Sequence, residues 1–276
     1  VEERFRPLRN LSWIKMTILD QIIVEKKKEI ERSKQQISLR QLESSGYFAR
    51  QCQSLCLSLI EPASSGIIAE YKRKSPSKGI INDQLTPAEV SSAYVKAGAA
   101  GLSVLTDEPF FGGTRKDFEE ARLANPSTPI LRKDFMVDEY QVVEAKSMGA
   151  DVILLIAAAL SPQEIKNLGT LARSLGMETL LEVHDEEQLS RSLGDFISIV
   201  GVNNRNLKNF AEQNVEASKQ LAEKIPSEFI KISESCISSA SIIFELKNYG
   251  YKGFLIGESF MKTNAPGEAL QSFLAN

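Results

Sequence analysis

Short, β-rich apolar runs recur along most of the chain, at intervals that leave room for one helix between successive runs. They occupy 67–70, 102–105, 129–131, 152–156, 179–183, 197–202, 229–232 and 254–256. Between them, 86–97, 139–148, 161–175 and 240–249 carry helix-compatible patterns, the first with Thr86 as an N-cap ahead of Pro87. Eight strands alternating with helices over about 190 residues predict a parallel α/β architecture, a single (β/α)8 barrel of the TIM type. An open doubly wound sheet that bound a dinucleotide would show a glycine-rich turn after its first strand, and none follows 67–70. Ahead of the strands, Thr17 to about Ser58 has helical spacing, with Ile18, Ile22 and Ile23 suitably placed and a charged stretch from Glu25 to Arg32. The expected organisation is an N-terminal helical extension, residues 1–60, packed on a barrel of residues 61–276.

Length agrees with that reading, since 276 residues accommodate a closed barrel of about 250 as one unit. With 42% apolar and 25% charged residues the chain can build a sizeable core, which excludes disorder and collagen-like repeats. A net charge of −3 supplies no global attraction to nucleic acid or to an anionic membrane, so an anionic ligand must be held by local groups. The longest apolar run, 152–160, is far shorter than the roughly 20 residues that span a bilayer. Glu2, Glu3, Arg4, Arg6 and Arg9 interrupt the N-terminus, so neither a signal peptide nor a membrane anchor is expected. Cys52, Cys56 and Cys236 form no metal-ligand pattern and fit a reducing compartment, with the cytoplasm as the expected location. His184 is the single histidine, which excludes a multi-histidine zinc site within one chain. Lysines and carboxylates are left to carry the protons.

Barrel enzymes of this kind work at the C-terminal ends of their strands. There, period-two alternation puts Glu70 and Lys72 on one face of the first strand, Lys133 on the face of Leu131, Glu182 in the fifth strand, and Asn203 with Arg205 after the sixth. Any one of these, taken alone, reads as a strand entering solvent. Four strands doing so together predict a lysine–glutamate cluster with coupled, shifted pKa values suited to acid–base work. A Schiff-base role for Lys72 or Lys133 stays open, since burial also makes an amine nucleophilic. Near the C-terminus, Ser235, Gly257 and Ser259 suit the phosphate site that many barrels build after strands seven and eight. The segment 73–79 adds cationic and hydroxyl groups with a glycine hinge, and reads as a loop that closes over an anionic substrate or, taken alone, as a solvated basic loop.

A set of strings, in order and each at its strand, is similar to a known family. They are Ile67-Ile68-Ala69-Glu70-Tyr71-Lys72-Arg73-Lys74-Ser75-Pro76-Ser77-Lys78-Gly79, Ser103-Val104-Leu105-Thr106 with Phe111-Gly112-Gly113, and Leu131-Arg132-Lys133-Asp134-Phe135. Gly149-Ala150-Asp151 with Leu154-Leu155-Ile156, Leu181-Glu182-Val183-His184, Gly201-Val202-Asn203-Asn204-Arg205-Asn206-Leu207, Ser233-Glu234-Ser235 and Leu255-Ile256-Gly257-Glu258-Ser259 continue the set. From about Met16 to its C-terminus the chain resembles indole-3-glycerol phosphate synthase. The resemblance implies an enzyme of tryptophan biosynthesis that converts 1-(2-carboxyphenylamino)-1-deoxyribulose 5-phosphate into indole-3-glycerol phosphate, losing CO2 and water, with no metal or organic cofactor. Its partner is then a small phosphorylated substrate, with no nucleic acid and no membrane, and a monomer is expected.

By the same resemblance, Lys133 would protonate the substrate carbonyl and Glu182 would stabilise the developing cation or assist proton removal. Lys72, paired with Glu70, would hold the substrate carboxylate and protonate the leaving hydroxyl. Asn203 and Arg205 would orient the carboxylated aminophenyl end, and Pro76, Phe111, Phe135, Leu154, Ile156 and Leu207 would line the ring pocket. Ser75 and the backbone at Ser235, Cys236, Gly257 and Glu258 would cradle the phosphate. His184 is expected to be structural. The chain departs from the family pattern at Cys236, where glycine is usual, so a side chain stands beside the proposed phosphate. The stretch Val1 to Lys15 precedes the family's usual start and is expected to be an extension without catalytic groups. Other phosphate-binding barrels, a phosphoribosyl isomerase or a lysine-dependent aldolase, are the rival enzymes, and a catalytically silent phosphosugar-binding barrel is the rival of another class.

Overall fold

The apolar runs become eight parallel strands, each hydrogen-bonded to the next, and the last closes on the first. They are β1 (Ile67–Tyr71), β2 (Gly101–Leu105), β3 (Ile130–Lys133), β4 (Val152–Ile156), β5 (Glu178–Val183), β6 (Ile199–Asn203), β7 (Ile230–Glu234) and β8 (Gly253–Ile256). Helices follow the strands around the outside, so this is a TIM barrel. A computed structural model describes residues 16–205 and 214–275.

Alternation along each strand separates two cores. Ile68, Leu131, Leu154, Leu180, Ile199, Ile232 and Leu255 point inward and pack together. The intervening positions, among them Ile67, Leu102, Ile153, Leu181, Val200 and Phe254, pack outward against the helices. One step further along the inward face, two residues after an apolar position, the inner side chains become Glu70, Lys133, Glu182 and Glu234. The fold therefore turns one periodic pattern into an apolar floor and a charged rim.

Strands β3 and β7 each run two residues beyond their apolar runs. Lys133 is paired in register with Leu105, and Glu234 with Asn203 and Leu255. Backbone ladders need no apolar side chain, which is why hydropathy ended these strands early. The segment 73–79 also differs from the loop expected of it, because Lys74–Ser75 pairs antiparallel with Gly79–Ile80 as a short hairpin. Arg73 anchors its base through a two-pronged ion pair with Asp117.

The helical stretch before the barrel divides into α1 (Ile18–Gln36), α2 (Leu39–Glu43) and α3 (Leu55–Ile60). Thr17 and Asp20 form a capping box that starts α1. Helix α3 closes the barrel floor, with Leu55 and Leu59 packed into the inner core. The Glu178 carboxylate, at the start of β5, accepts from Leu55 N at 2.9 Å and Cys56 N at 3.0 Å and holds the plug in place. The chain before α3 is tied down at Asp151, which is fully buried and ion-paired with Arg50 and Arg122. Asp151 also accepts from Gln53 N at 2.7 Å and Ile130 N at 2.8 Å. Removing this carboxylate leaves buried guanidinium charge uncompensated, so Asp151→Ala should cost about 3–5 kcal/mol of unfolding free energy, measured by urea denaturation.

Candidate active site

At the C-terminal ends of the strands lies a cavity of about 840 Å³. Every site residue anticipated from the sequence lines it except Leu207, which lies outside the described residues. At its centre is Lys133, whose ammonium contacts Glu234 Oε2 at 2.5 Å and Glu182 Oε2 at 3.2 Å. Beside it, Lys72 Nζ donates to Glu70 Oε1 at 2.7 Å. Asn203 and Arg205 continue this rim from the end of β6, with Asn203 Oδ1 accepting from Arg205 N at 3.0 Å.

Close approach at the centre depends on two glycines. A Cβ on Gly201 would lie 2.3 Å from Glu234 Oε1, and one on Gly257 would lie 2.7 Å from Glu70 Oε1. Both carboxylates occupy space that any other residue would fill.

Burial and mutual repulsion sort the protons among these groups. Burial opposes the charge of Lys133, but Glu234, Glu182 and Glu70 outweigh it and raise its pKa, so the amine stays protonated through neutral pH. Burial likewise disfavours ionised Glu182 and Glu70, yet Lys133 holds the first below the usual carboxylate range, and Lys72 with Lys133 the second. Glu234 goes the other way. Burial, with the charges of Glu182 and Glu70, pushes it up to about 7 against the pull of Lys133. Carboxyl groups divided between a firmly ionised pair and one that titrates near neutrality can take different parts in proton transfer.

One side of the cavity is apolar. Phe111 and Phe135 face each other with centroids 6.0 Å apart, and Pro76, Leu154 and Ile156 complete the wall. The opposite side is polar and small. Ser75 Oγ is buried without a hydrogen-bond partner. Ser235 and Cys236 both have left-handed backbone, at φ 65° and 60°. Asn204, buried behind them, donates to the carbonyls of Glu234 at 2.9 Å and Ser235 at 3.4 Å and keeps the loop in that conformation. Gly257 and Glu258 open a short helix, Glu258–Met261, without a side-chain cap, and Ser259 lies on the same lining. Across the mouth, Arg205 Nη1 donates to Ser77 Oγ of the hairpin at 2.9 Å.

Several lining residues were not foreseen as site residues. Glu234 was passed over because the apolar run stops at Ile232, although alternation from Ile232 already puts it on the inner face. Ile18, Leu19 and Ile22 line the cavity from α1, and only long-range packing brings them there. His184, expected to be structural, also lines the cavity, with both ring nitrogens buried and unpartnered and Nε2 4.0 Å from Glu182 Oε1.

A closed barrel whose mouth joins two lysine–carboxylate pairs to an aromatic wall and a small-residue loop defines an enzyme of acid–base chemistry. The family model described as indole-3-glycerol phosphate synthase matches residues 19–273. Indole-3-glycerol phosphate synthase of Bacteroides thetaiotaomicron is 46% identical over 257 residues, covering 93% of this chain and 97% of that protein. Its counterpart in Burkholderia ambifaria is 41% identical over 255 residues, covering 92% and 97%. The chain belongs to the indole-3-glycerol phosphate synthase family. Solved structures with the same fold include a tryptophan synthase a2b2 complex from Pyrococcus furiosus, with a TM-score of 0.56, 16% identity and coverage of 76% of this chain and 96% of that one. Thiamine phosphate pyrophosphorylase from the same organism has a TM-score of 0.57 and 11% identity over 80% of this chain and 96% of its own.

Two variants probe the site directly. Glu234 ionises at about 7 in the folded chain against an ordinary 4.5. Below the lower value both states hold the proton, between the two only the folded state does, and above the higher value neither does. Rising pH therefore favours unfolding only within that window. Glu234→Gln removes this slope, so its melting temperature relative to the parent should climb from pH 4.5 to 7 and then stay level. At Cys236 the left-handed backbone penalises a Cβ, so Cys236→Gly should raise the unfolding free energy by about 1 kcal/mol in urea. It should also lower the inhibition constant of inorganic phosphate.

Proposed function

We propose that this barrel mouth converts 1-(2-carboxyphenylamino)-1-deoxyribulose 5-phosphate into indole-3-glycerol phosphate. The observation that carries the reading is the Lys133 ammonium held between Glu182 and Glu234, with Lys72 and Glu70 on one side and the Phe111–Phe135 wall on another. The flat ring lies against Phe111, Phe135, Leu154 and Ile156, with Pro76 at its edge and Leu207 assigned by resemblance. Lys72 holds the ring carboxylate, oriented further by Asn203 and Arg205. The phosphate lies among Ser75, Ser235, Cys236, Gly257 and Glu258, where the buried Ser75 hydroxyl has no hydrogen-bond partner and small residues let an anion approach the start of a short helix.

Lys133 donates its proton to the ketone oxygen as the ring carbon bearing the carboxylate attacks the carbonyl carbon. Loss of CO2 returns the ring electrons. Departure of the new hydroxyl as water, protonated by Lys72, leaves a cation that Glu182 stabilises until a proton is lost and the indole is complete. Glu234, which carries a proton near neutrality, is within reach to restore one to Lys133. A Schiff-base role for Lys133 is disfavoured, because raising its pKa depletes the free amine an aldolase needs.

The same reading includes a helical extension to residue 60 on a barrel from residue 61, and a monomer in the cytoplasm with no nucleic-acid partner. The plugging of the barrel floor by α3 supports the first point. Three free thiols support the cytoplasmic location, and the net charge of −3 supports the lack of a nucleic-acid partner.

The test is incubation of purified protein with the carboxyphenylamino-deoxyribulose phosphate while indole fluorescence is followed. Product should appear with the parent chain. Lys133→Ala should turn over about a thousandfold more slowly while remaining folded. Folded parent protein that forms no product would support the phosphosugar-binding barrel instead, and borohydride trapping of a substrate adduct would support an aldolase.

A further inference from the structure

Lys26 is a buried charge that the chemistry above does not use. It lies on α1 with 1% of its surface exposed, far from the catalytic lysines in sequence. Spacing of four residues puts Ile18, Ile22 and Lys26 on one face of that helix, so the face that lines the cavity with isoleucine continues inward to the ammonium. There Nζ meets Asp134 Oδ1 at 2.9 Å, Asp107 Oδ2 at 3.1 Å and Glu29 Oε2 at 2.9 Å.

Each barrel carboxylate in turn holds one wall of the ring pocket. Asp107 caps the short helix Glu108–Phe111, with Oδ1 accepting from Phe110 N at 2.9 Å and Phe111 N at 3.3 Å. Asp134 Oδ1 accepts from Phe135 N at 2.8 Å. Asp134 has other support, from Thr106 Oγ1 at 2.7 Å and Arg132 at 3.1 Å, whereas Lys26 is the one cation paired with Asp107 among the described residues. The ammonium is thus the point where the helix bearing Ile18, Leu19 and Ile22 and the loops bearing Phe111 and Phe135 are joined.

We propose that Lys26 is a positioning residue for the aromatic end of the substrate, setting the gap between α1 and the Phe111–Phe135 wall. The proposal rests on the functional reading above. Lys133 ends β3 immediately before the loop bearing Phe135 but has its own anchors in Glu182 and Glu234, so loss of Lys26 falls on the ring pocket rather than on the proton donor. A ring held equally in the ground and transition states then changes KM more than kcat.

Two variants separate positioning from simple charge balance. Lys26→Met removes the tether and leaves the buried Asp107 without its cation, while Asp134 keeps Arg132. Lys26→Met with Asp107→Asn restores the balance, while the amide oxygen still accepts from Phe110 and Phe111. KM should rise about tenfold in both, with kcat changed by no more than about threefold, and the double variant should regain most of the melting temperature the single one loses. A double variant that regains the parental KM along with its stability would overturn the proposal, as would an unchanged KM in the single variant. If Lys26→Met alone does not fold, the KM of the double variant decides. If the parent chain forms no product, the functional reading fails by itself. Hydrogen exchange at the amides of Phe111 and Phe135 then decides about Lys26: faster in the double variant than in the parent supports positioning, and an equal rate overturns it.

Discussion

A lysine ammonium withdrawn from water at the open end of an apolar barrel is the constraint around which the rest is arranged. Its charge is tolerable there only because Glu182 and Glu234 meet it directly and Glu70 adds its field from β1. Three carboxylates around one cation leave an excess of negative charge, and the second lysine, Lys72, takes up part of it through Glu70. The residual imbalance falls on Glu234, the member that keeps a proton near neutrality. The cluster therefore comes with its protons already assigned, as acid–base chemistry requires. Fitting so many charged groups at the narrow rim is also why Gly201 and Gly257 stand where a side chain would collide with them.

The helical layer ahead of the barrel acts at both ends of that arrangement. Helix α3 seals the floor with Leu55 and Leu59, so the apolar interior beneath the charged rim is closed to solvent. Helix α1 reaches the mouth, where its isoleucines line the cavity and Lys26 binds the loops after β2 and β3. Both attachments use buried ions with several partners. Such contacts add little net stability compared with apolar replacements, but they define one geometry sharply, because a displaced partner leaves a charge uncompensated. In a site that must hold a ring near a lysine, geometry is the quantity that matters.

Much of this was legible in the chain itself. Alternation within each apolar run predicted the inner face, and the same count of two from an apolar position located Glu70, Lys133 and Glu182 on it. Cys236 stood out only through the resemblance, as a side chain where the family has glycine, and its φ of 60° lies in the left-handed region that favours glycine. The misses share a cause. Glu234 was lost because hydropathy ends a strand where polar residues begin, whereas β7 continues to pair with β6 and β8 through its backbone. The hairpin at Lys74–Ser75 was hidden for a related reason, since two-residue strands leave no periodic signal.

The sequence by itself determined the class of fold and the residue types that meet at the mouth, because strand alternation and strand order are local and repetitive, while its motif strings carried the resemblance to the family. Tertiary structure alone decided which carboxylate is pushed up toward neutrality, which residues of α1 line the cavity, and that Lys26 joins two loops more than 80 positions and 100 positions away. Those outcomes depend on distances between groups remote in the chain and on how far each is removed from water, quantities that no local pattern encodes.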